Sequence, residues 1–330
     1  MIALEFVGLL LILTGAAALL SYGAEILAER YGANFTGSIV LALITTLPEY
    51  MFVIWASIKG HYEMAVGSAV GSCALLITLG YGSVILLATS RISKKPVKAV
   101  ELSKHTQVDA LYLLATALIA FGLASEGNGF DLKDAVILIG IFFAYVVHVA
   151  KGAVAFSRSA AAADHSPRAL AKSIGFLVTG GVVIFVFSGP FVDSMLEVAR
   201  ALGVSPMTIA IILGPLASEM PEKITAYITV IRDGRLAEIS VCNFIGSKVN
   251  HNSLLLGTMP IVAVLQGQSG VAGIVSVPFI TMTALTVVAT LSLSRRRLER
   301  WEGVAFALLY VLVVWGAFRV GAGQMPAAYG

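Results

Sequence analysis

The sequence predicts an all-α membrane protein: ten transmembrane helices built from two inverted five-helix repeats, with broken helices at the membrane midplane. Three observations predict it. The 330 residues are 58% hydrophobic and only 12% charged, too apolar for a soluble domain. The basic residues between the apolar runs are strongly biased to alternate connections. A short phrase also recurs inside an apolar run in each half: Thr45-Thr46-Leu47-Pro48-Glu49 and Ser218-Glu219-Met220-Pro221-Glu222.

The first run, 6–28, follows Met1-Ile2-Ala3-Leu4-Glu5, which has no basic segment and leads to no small-residue cleavage site. It reads as a spanning helix rather than a removed signal. The second, 37–58, holds the first Pro-Glu pair. Runs 64–88, 108–124 and the short 135–150 complete a first repeat over 1–150. Residues 151–173 are a short cytoplasmic linker containing Ser159-Ala160-Ala161-Ala162-Ala163-Asp164. The second repeat, 174–330, opens with 174–198, where Gly189-Pro190 predicts a bend. Run 207–231 holds the second Pro-Glu pair, and 238–265, 274–293 and 304–320 close the chain.

Charge placement tests this drawing. Sixteen of the 22 basic residues fall on one side, chiefly in 91–104, 151–172 and Arg295-Arg296-Arg297 with Arg300. Only Lys59, Lys133, Arg200 and Arg319 fall on the other, while Lys223 and Lys248 lie within runs. Basic loops stay cytoplasmic, so the expectation is a multi-pass protein of the cell membrane with both termini outside. Five spans per half put the halves in opposite orientations. Anionic lipid is a secondary reading of the basic loops.

No loop is long enough for a soluble module, so the expected partners are the lipid bilayer and transported cations, with no nucleic acid or soluble protein. There is no HExxH, nucleophile elbow or Walker loop, and neither an enzyme activity nor a cofactor is expected. Cys73 and Cys242 stand alone in apolar runs and read as packing residues. Glu25, Glu29, Asp109, His148 and Asp193 lie near span ends and read as interfacial.

The two Pro-Glu pairs are offset by 173 residues, matching Thr45 to Ser218, Thr46 to Glu219 and Glu49 to Glu222. With two further residues in the following turn, Gly71-Ser72 matches Gly246-Ser247 and Glu63 matches Glu238. An ionisable residue at membrane depth is expensive and marks an ion path by default. The adjacent proline frees backbone carbonyls. Carboxylates, hydroxyls and freed carbonyls together suit a dehydrated hard cation. Each hydroxyl alone, such as Thr45 or Ser72, reads equally well as bonded back to its own helix. The paired Glu49 and Glu222 favour function.

Gly37-Ser38-Ile39-Val40, the first Pro-Glu phrase and Gly67-Ser68-Ala69-Val70-Gly71-Ser72 resemble the first alpha repeat of the cation/calcium exchanger superfamily. Gly203-Val204-Ser205-Pro206, the second phrase and Gly246-Ser247 resemble the second. The resemblance implies sodium/calcium exchanger-like antiport by alternating access, the first and sixth helices moving against the rest. It also implies Glu49 and Glu222 as central metal ligands, with Thr45, Thr46, Ser72, Ser218 and Ser247 supplying surrounding oxygens. The transported cation is then Ca²⁺ or another cation, exchanged for Na⁺ or H⁺.

The pattern departs from the family after each Gly-Ser. Cys73 and Leu76 stand in the first repeat and Lys248 and His251 in the second, where the family has Asn followed by Asn or Asp. Glu219 replaces a hydroxyl. A Lys248 ammonium in a low-dielectric core needs a carboxylate, and Glu219 or Glu222 is the candidate. Such a lysine would act as a tethered cation at a sodium position, with H⁺ as counter-ion carried on Glu219, Lys248 or His251. The alternatives left open are a structural Lys248–Glu219 pair, a hydrogen-bonded core His251, a different substrate altogether, and a passive cation channel.

Overall fold

The computed structural model describes residues 2–31, 44–157 and 167–323. Residues 37–43 of the second predicted span and 158–166 of the linker lie outside the described residues. The helices are α1 (Ile2–Tyr31), α2 (Leu47–Ile58), α3 (Tyr62–Leu75), α4 (Tyr81–Ala88), α5 (Lys104–Gly127) and α6 (Leu132–Ser157). There follow α7 (Pro167–Leu202), α8 (Pro206–Ser218), α9 (Met220–Arg232), α10 (Ala237–Asn250), α11 (Leu256–Leu265), α12 (Val277–Ser294) and α13 (Arg300–Gly323).

This is a helical membrane fold. Seven described segments are long and apolar enough to cross a bilayer: Ile2–Ala24, Tyr62–Ala88, Lys104–Gly127, Leu132–Val149, Pro167–Leu202, Val277–Ser294 and Arg300–Arg319. The described parts of the other three predicted runs are also helical but interrupted. In two of them the break is the Pro-Glu phrase, because Pro48 and Pro221 have no N–H for the preceding turn and start a new helix instead. In the third, 238–265, polar side chains and a π segment divide α10 from α11. Pro190 lies inside α7, which continues through it.

The π segments are Leu76–Gly80 and His251–Leu255, each extending a buried helix by a wide turn. They occupy matched places, directly after Leu75 and Asn250. Both lie where the chain passes between two apolar clusters: Cys73 belongs to one and Ala74 to the other, and Val249 and Leu255 divide the same way. The buried polar run Ser247, Lys248, Asn250, His251, Asn252 and Ser253 therefore sits at the junction of the two cores.

Helix contacts come in matched sets. α1 lies along α7, α5 along α12, α4 against α13, and α6 against α11. Two short antiparallel ladders join the connections: β1 (Ala99–Glu101) with β4 (Arg297–Glu299), and β2 (Gly129–Asp131) with β3 (Gly270–Ala272). The first ladder lies on the basic connections. Beside it Ser93 donates to the Val230 carbonyl, at 2.8 Å, and hydrogen bonds from Arg235 hold the Asp233 carboxyl well below the usual carboxylate range.

The closest helix approach is α3 on α8. A Cβ at Gly71 would stand 2.3 Å from the Ile211 carbonyl oxygen, and one at Gly67 would stand 2.7 Å from that of Met207. Only glycine lets these backbones touch, and the contact carries Ser68 and Ser72 on the same helix. Gly71→Val is expected to lower detergent-solubilised stability by about 1–3 kcal/mol, the usual cost of overpacking. Gly8→Val, with nothing within 4 Å of a Cβ there, should leave the unfolding temperature unchanged.

Candidate cation site

The second helix break builds the site. α8 ends at Ser218, Glu219 bridges, and α9 begins at Met220. The Glu219 backbone N–H still reaches the Pro215 carbonyl at 3.0 Å, so the chain kinks without losing its turn. The kink turns the Glu219 side chain into the interior, where it is 1% exposed. There the Lys248 ammonium of α10 donates to its Oε1 at 3.0 Å, and Lys248 is itself wholly buried. His251, one helical turn on from Lys248, brings Nε2 to 3.6 Å from the same oxygen. The expected lysine–carboxylate pair thus forms with Glu219.

Glu49 comes from the first break. It enters α2 directly after Pro48 and is buried. One donor atom each from Glu49, Glu219 and His251 lie within 4.8 Å of one another. Glu222 occupies the matched position on α9, where its Oε1 accepts from the Asn243 amide at 2.7 Å. The tightest group thus pairs Glu49 with Glu219 and His251, while Glu222 is held one step away by α10.

The predicted hydroxyls divide into two kinds. Ser72 and Ser247 are fully buried, and neither Oγ has a hydrogen-bond partner. Thr46 accepts from the Asn250 amide at 2.9 Å, and Ser218 turns back to the Gly214 carbonyl at 3.3 Å. Thr45 is half-buried just before the break. Lys223 is buried on α9 and, among the described residues, forms no ion pair.

Three polar residues were not singled out from the sequence as contributing to the site. Tyr50 donates to Asn250 Oδ1, linking α2 to α10 across 200 positions. Asn243 holds Glu222, and Ser68 faces the pocket beside Glu49. One signal was available: Ser68 and Asn243 are matched by the second repeat offset, so both halves place a polar residue opposite the carboxylate. The Tyr50–Asn250 bond had no local signal. Cys73 also proved polar in use, donating to Asn252 Oδ1 at 3.3 Å, while Cys242 lies 3.2 Å from Thr106 Oγ1.

Buried polar atoms are almost always paired. Here Glu49 Oε2, Glu219 Oε2, His251 Nε2, Ser72 Oγ and Ser247 Oγ have no hydrogen-bond partner. Four of these five residues come from the two breaks and the α10–π junction. A pocket beside the group is lined by Leu13 of α1, Phe52 of α2 and Phe191 of α7 together with Glu49 and Ser218. Chemically, this is a desolvated acidic cage with spare lone pairs, suited to a cation and walled on one side by α1 and α7.

The model of the family described as sodium/calcium exchanger protein matches residues 1–151 and 172–319. The inner membrane protein YrbG of Escherichia coli (strain K12) is 25% identical over 317 residues, covering 95% of this chain and 94% of that protein. The crystal structure of the H⁺/Ca²⁺ exchanger CAX superposes with a TM-score of 0.79 at 23% identity, covering 97% of this chain and 85% of the other. The sodium-calcium exchanger NCX_Mj gives 0.67 at 23% identity, with 96% and 99% covered.

The ion pair can be weighed by a mutant cycle. Lys248→Met leaves Glu219 buried without its cation and is expected to cost about 3–5 kcal/mol of stability. Adding Glu219→Gln should recover most of that loss. Thermal unfolding of the two single variants and the double variant reads the coupling; additive effects would mean that the pair contributes nothing.

Proposed function

This chain belongs to the sodium/calcium exchanger protein family, and from that premise we propose that it is a secondary active cation antiporter. Glu49 and Glu222 are its paired ligands, with Glu219 added on the second repeat. The observation that carries the reading is the set of buried, unpartnered oxygens: Glu49 Oε2 and Glu219 Oε2 at the two helix breaks, and Ser72 Oγ and Ser247 Oγ on α3 and α10. A structural role for these groups would leave them satisfied; a cation that comes and goes accounts for the spare lone pairs.

The ten-helix, two-repeat organisation is part of the same proposal. Repeat one is 1–150, the linker 151–173 and repeat two 174–330. The two π segments support it, since their starts, Leu76 and His251, obey the same offset as Ser72 and Ser247. The ladders support it too: β1 precedes α5 and pairs with β4 after α12, while β3 precedes α12 and pairs with β2 after α5. A two-fold axis in the membrane plane exchanges the ladders. The bias of basic residues then sets both termini outside the cell membrane.

Transport follows from packing. α1 and α7 lie side by side and contribute Leu13 and Phe191 to the pocket above Glu49. Sliding that pair over the remaining helices opens the site to one side and closes it to the other, with the ligands fixed at the breaks. The counter-ion is Na⁺ or H⁺. Lys248 supplies a permanent positive charge where the resemblance implies a sodium cage, which favours H⁺.

Reconstituted vesicles test this directly. Cation tracer uptake should require an opposing Na⁺ or H⁺ gradient, imposed one at a time, and Glu49→Gln or Glu222→Gln should reduce uptake by at least about tenfold. That is about 1.4 kcal/mol of lost binding, modest for a ligand to a desolvated ion. Uptake driven by the tracer's own gradient alone would make the protein a channel, and sodium dependence with indifference to pH would remove H⁺.

A further inference from the structure

The donor atoms, and not only their charge, distinguish one cation from another. We propose that Glu49, Glu219 and His251 form a binding site for a divalent first-row transition-metal ion such as Zn²⁺, Co²⁺ or Ni²⁺, which is the transported cargo. The inference rests on the cation-antiport reading and narrows its substrate.

His251 makes the case. Its Nδ1 lies 2.6 Å from the Ser247 carbonyl oxygen. A carbonyl only accepts, so Nδ1 carries the proton and the neutral ring presents a lone pair at Nε2. That lone pair is buried, has no hydrogen-bond partner and faces Glu219 Oε1 at 3.6 Å. The Lys248 ammonium already binds that oxygen, yet the nitrogen lone pair itself is left without a donor. The carbonyl behind the ring is also the customary support of a metal-binding imidazole.

The geometry suits one small ion. The three donors lie within 4.8 Å of one another. Two ligands on opposite sides of an ion at about 2.0–2.2 Å are about 4–4.4 Å apart, so small side-chain shifts bring all three into contact. Ca²⁺ and Mg²⁺ take oxygen ligands throughout, whereas a mixed imidazole and carboxylate set favours Zn²⁺, Co²⁺ and Ni²⁺. Lys248 does not block the site. It engages the same Oε1 of Glu219 that faces His251 and leaves Oε2 unpartnered as the free ligand atom. Its charge also weakens the hold on a dication, which suits a cargo that must be released.

Purified protein without an affinity tag, titrated with CoCl₂, ZnCl₂ or CaCl₂, tests the assignment by two readouts: thermal stabilisation and the visible absorption of bound Co²⁺. The wild type should be stabilised by Co²⁺ and Zn²⁺ at concentrations at least tenfold below those needed for Ca²⁺, and should give nitrogen- and oxygen-ligated Co²⁺ bands. His251→Asn and Glu49→Gln should each weaken Co²⁺ binding at least tenfold, while the exposed His148→Asn leaves it unchanged. His251→Asp, which replaces nitrogen by oxygen and serves if the asparagine variant is poorly folded, should shift preference toward Ca²⁺ at least tenfold. Equal response of wild type and His251→Asp to Co²⁺ would overturn the nitrogen ligand, as would a stronger response of wild type to Ca²⁺. Absence of any divalent effect overturns the inference as well. In the last two cases the vesicle assay still decides antiport, so the two failures are distinguishable.

Discussion

The central constraint is the cost of holding charge away from water at membrane depth. Several kcal/mol per ion is the effective penalty, and three buried carboxyl groups, Glu49, Glu219 and Glu222, are subject to it. Only Glu219 is matched by a cation in contact, the buried Lys248. The rest of the architecture makes that tolerable. Helix breaks at Thr46 and Glu219 aim the carboxylates inward, the Gly67–Gly71 face lets α3 close against α8, and α10 carries the compensating polar groups through the junction of two apolar cores.

Much of this was legible because each cause is local. Pro48 and Pro221 break helices wherever they fall within them, and the apolar runs on either side report their own lengths. The need of Lys248 for a carboxylate is likewise a property of lysine in a low dielectric, so pairing with Glu219 could be anticipated among two candidates. The π segments were not legible. Nothing in Leu76–Gly80 or His251–Leu255 distinguishes a wide turn from an ordinary one, since the extra residue is accommodated by the packing of neighbouring helices.

The long-range polar bonds show the same limit from another side. Tyr50 and Asn250 are 200 positions apart, and each is an ordinary residue for its own helix. Their bond exists because α2 and α10 converge at the site, which is a fact of tertiary packing. Glu222 illustrates how this reshapes a sequence-level symmetry. Its equivalence with Glu49 is real along the chain, yet Asn243 holds Glu222 while Glu49 joins Glu219 and His251. Positions matched along the chain need not share a set of neighbours.

That asymmetry has a chemical logic. The departures of the second repeat from the first, Glu219 for Thr46, Lys248 for Cys73 and His251 for Leu76, are scattered in sequence but touch in space. Glu219 and Lys248 cancel in formal charge, so the pair leaves the overall charge set by Glu49 and Glu222 as it would be without them. What the three changes add together is not charge but a nitrogen donor and a carboxylate oriented by a fixed ammonium. Any one alone would be costly: an unpaired glutamate, an unpaired lysine, or a histidine with an unused lone pair. Acting as a group, they keep the formal charge of two carboxylates while changing the kind of donor atoms gathered there. The proposed metal selectivity therefore rests on coordination chemistry, on a charge background set by the two Pro-Glu breaks.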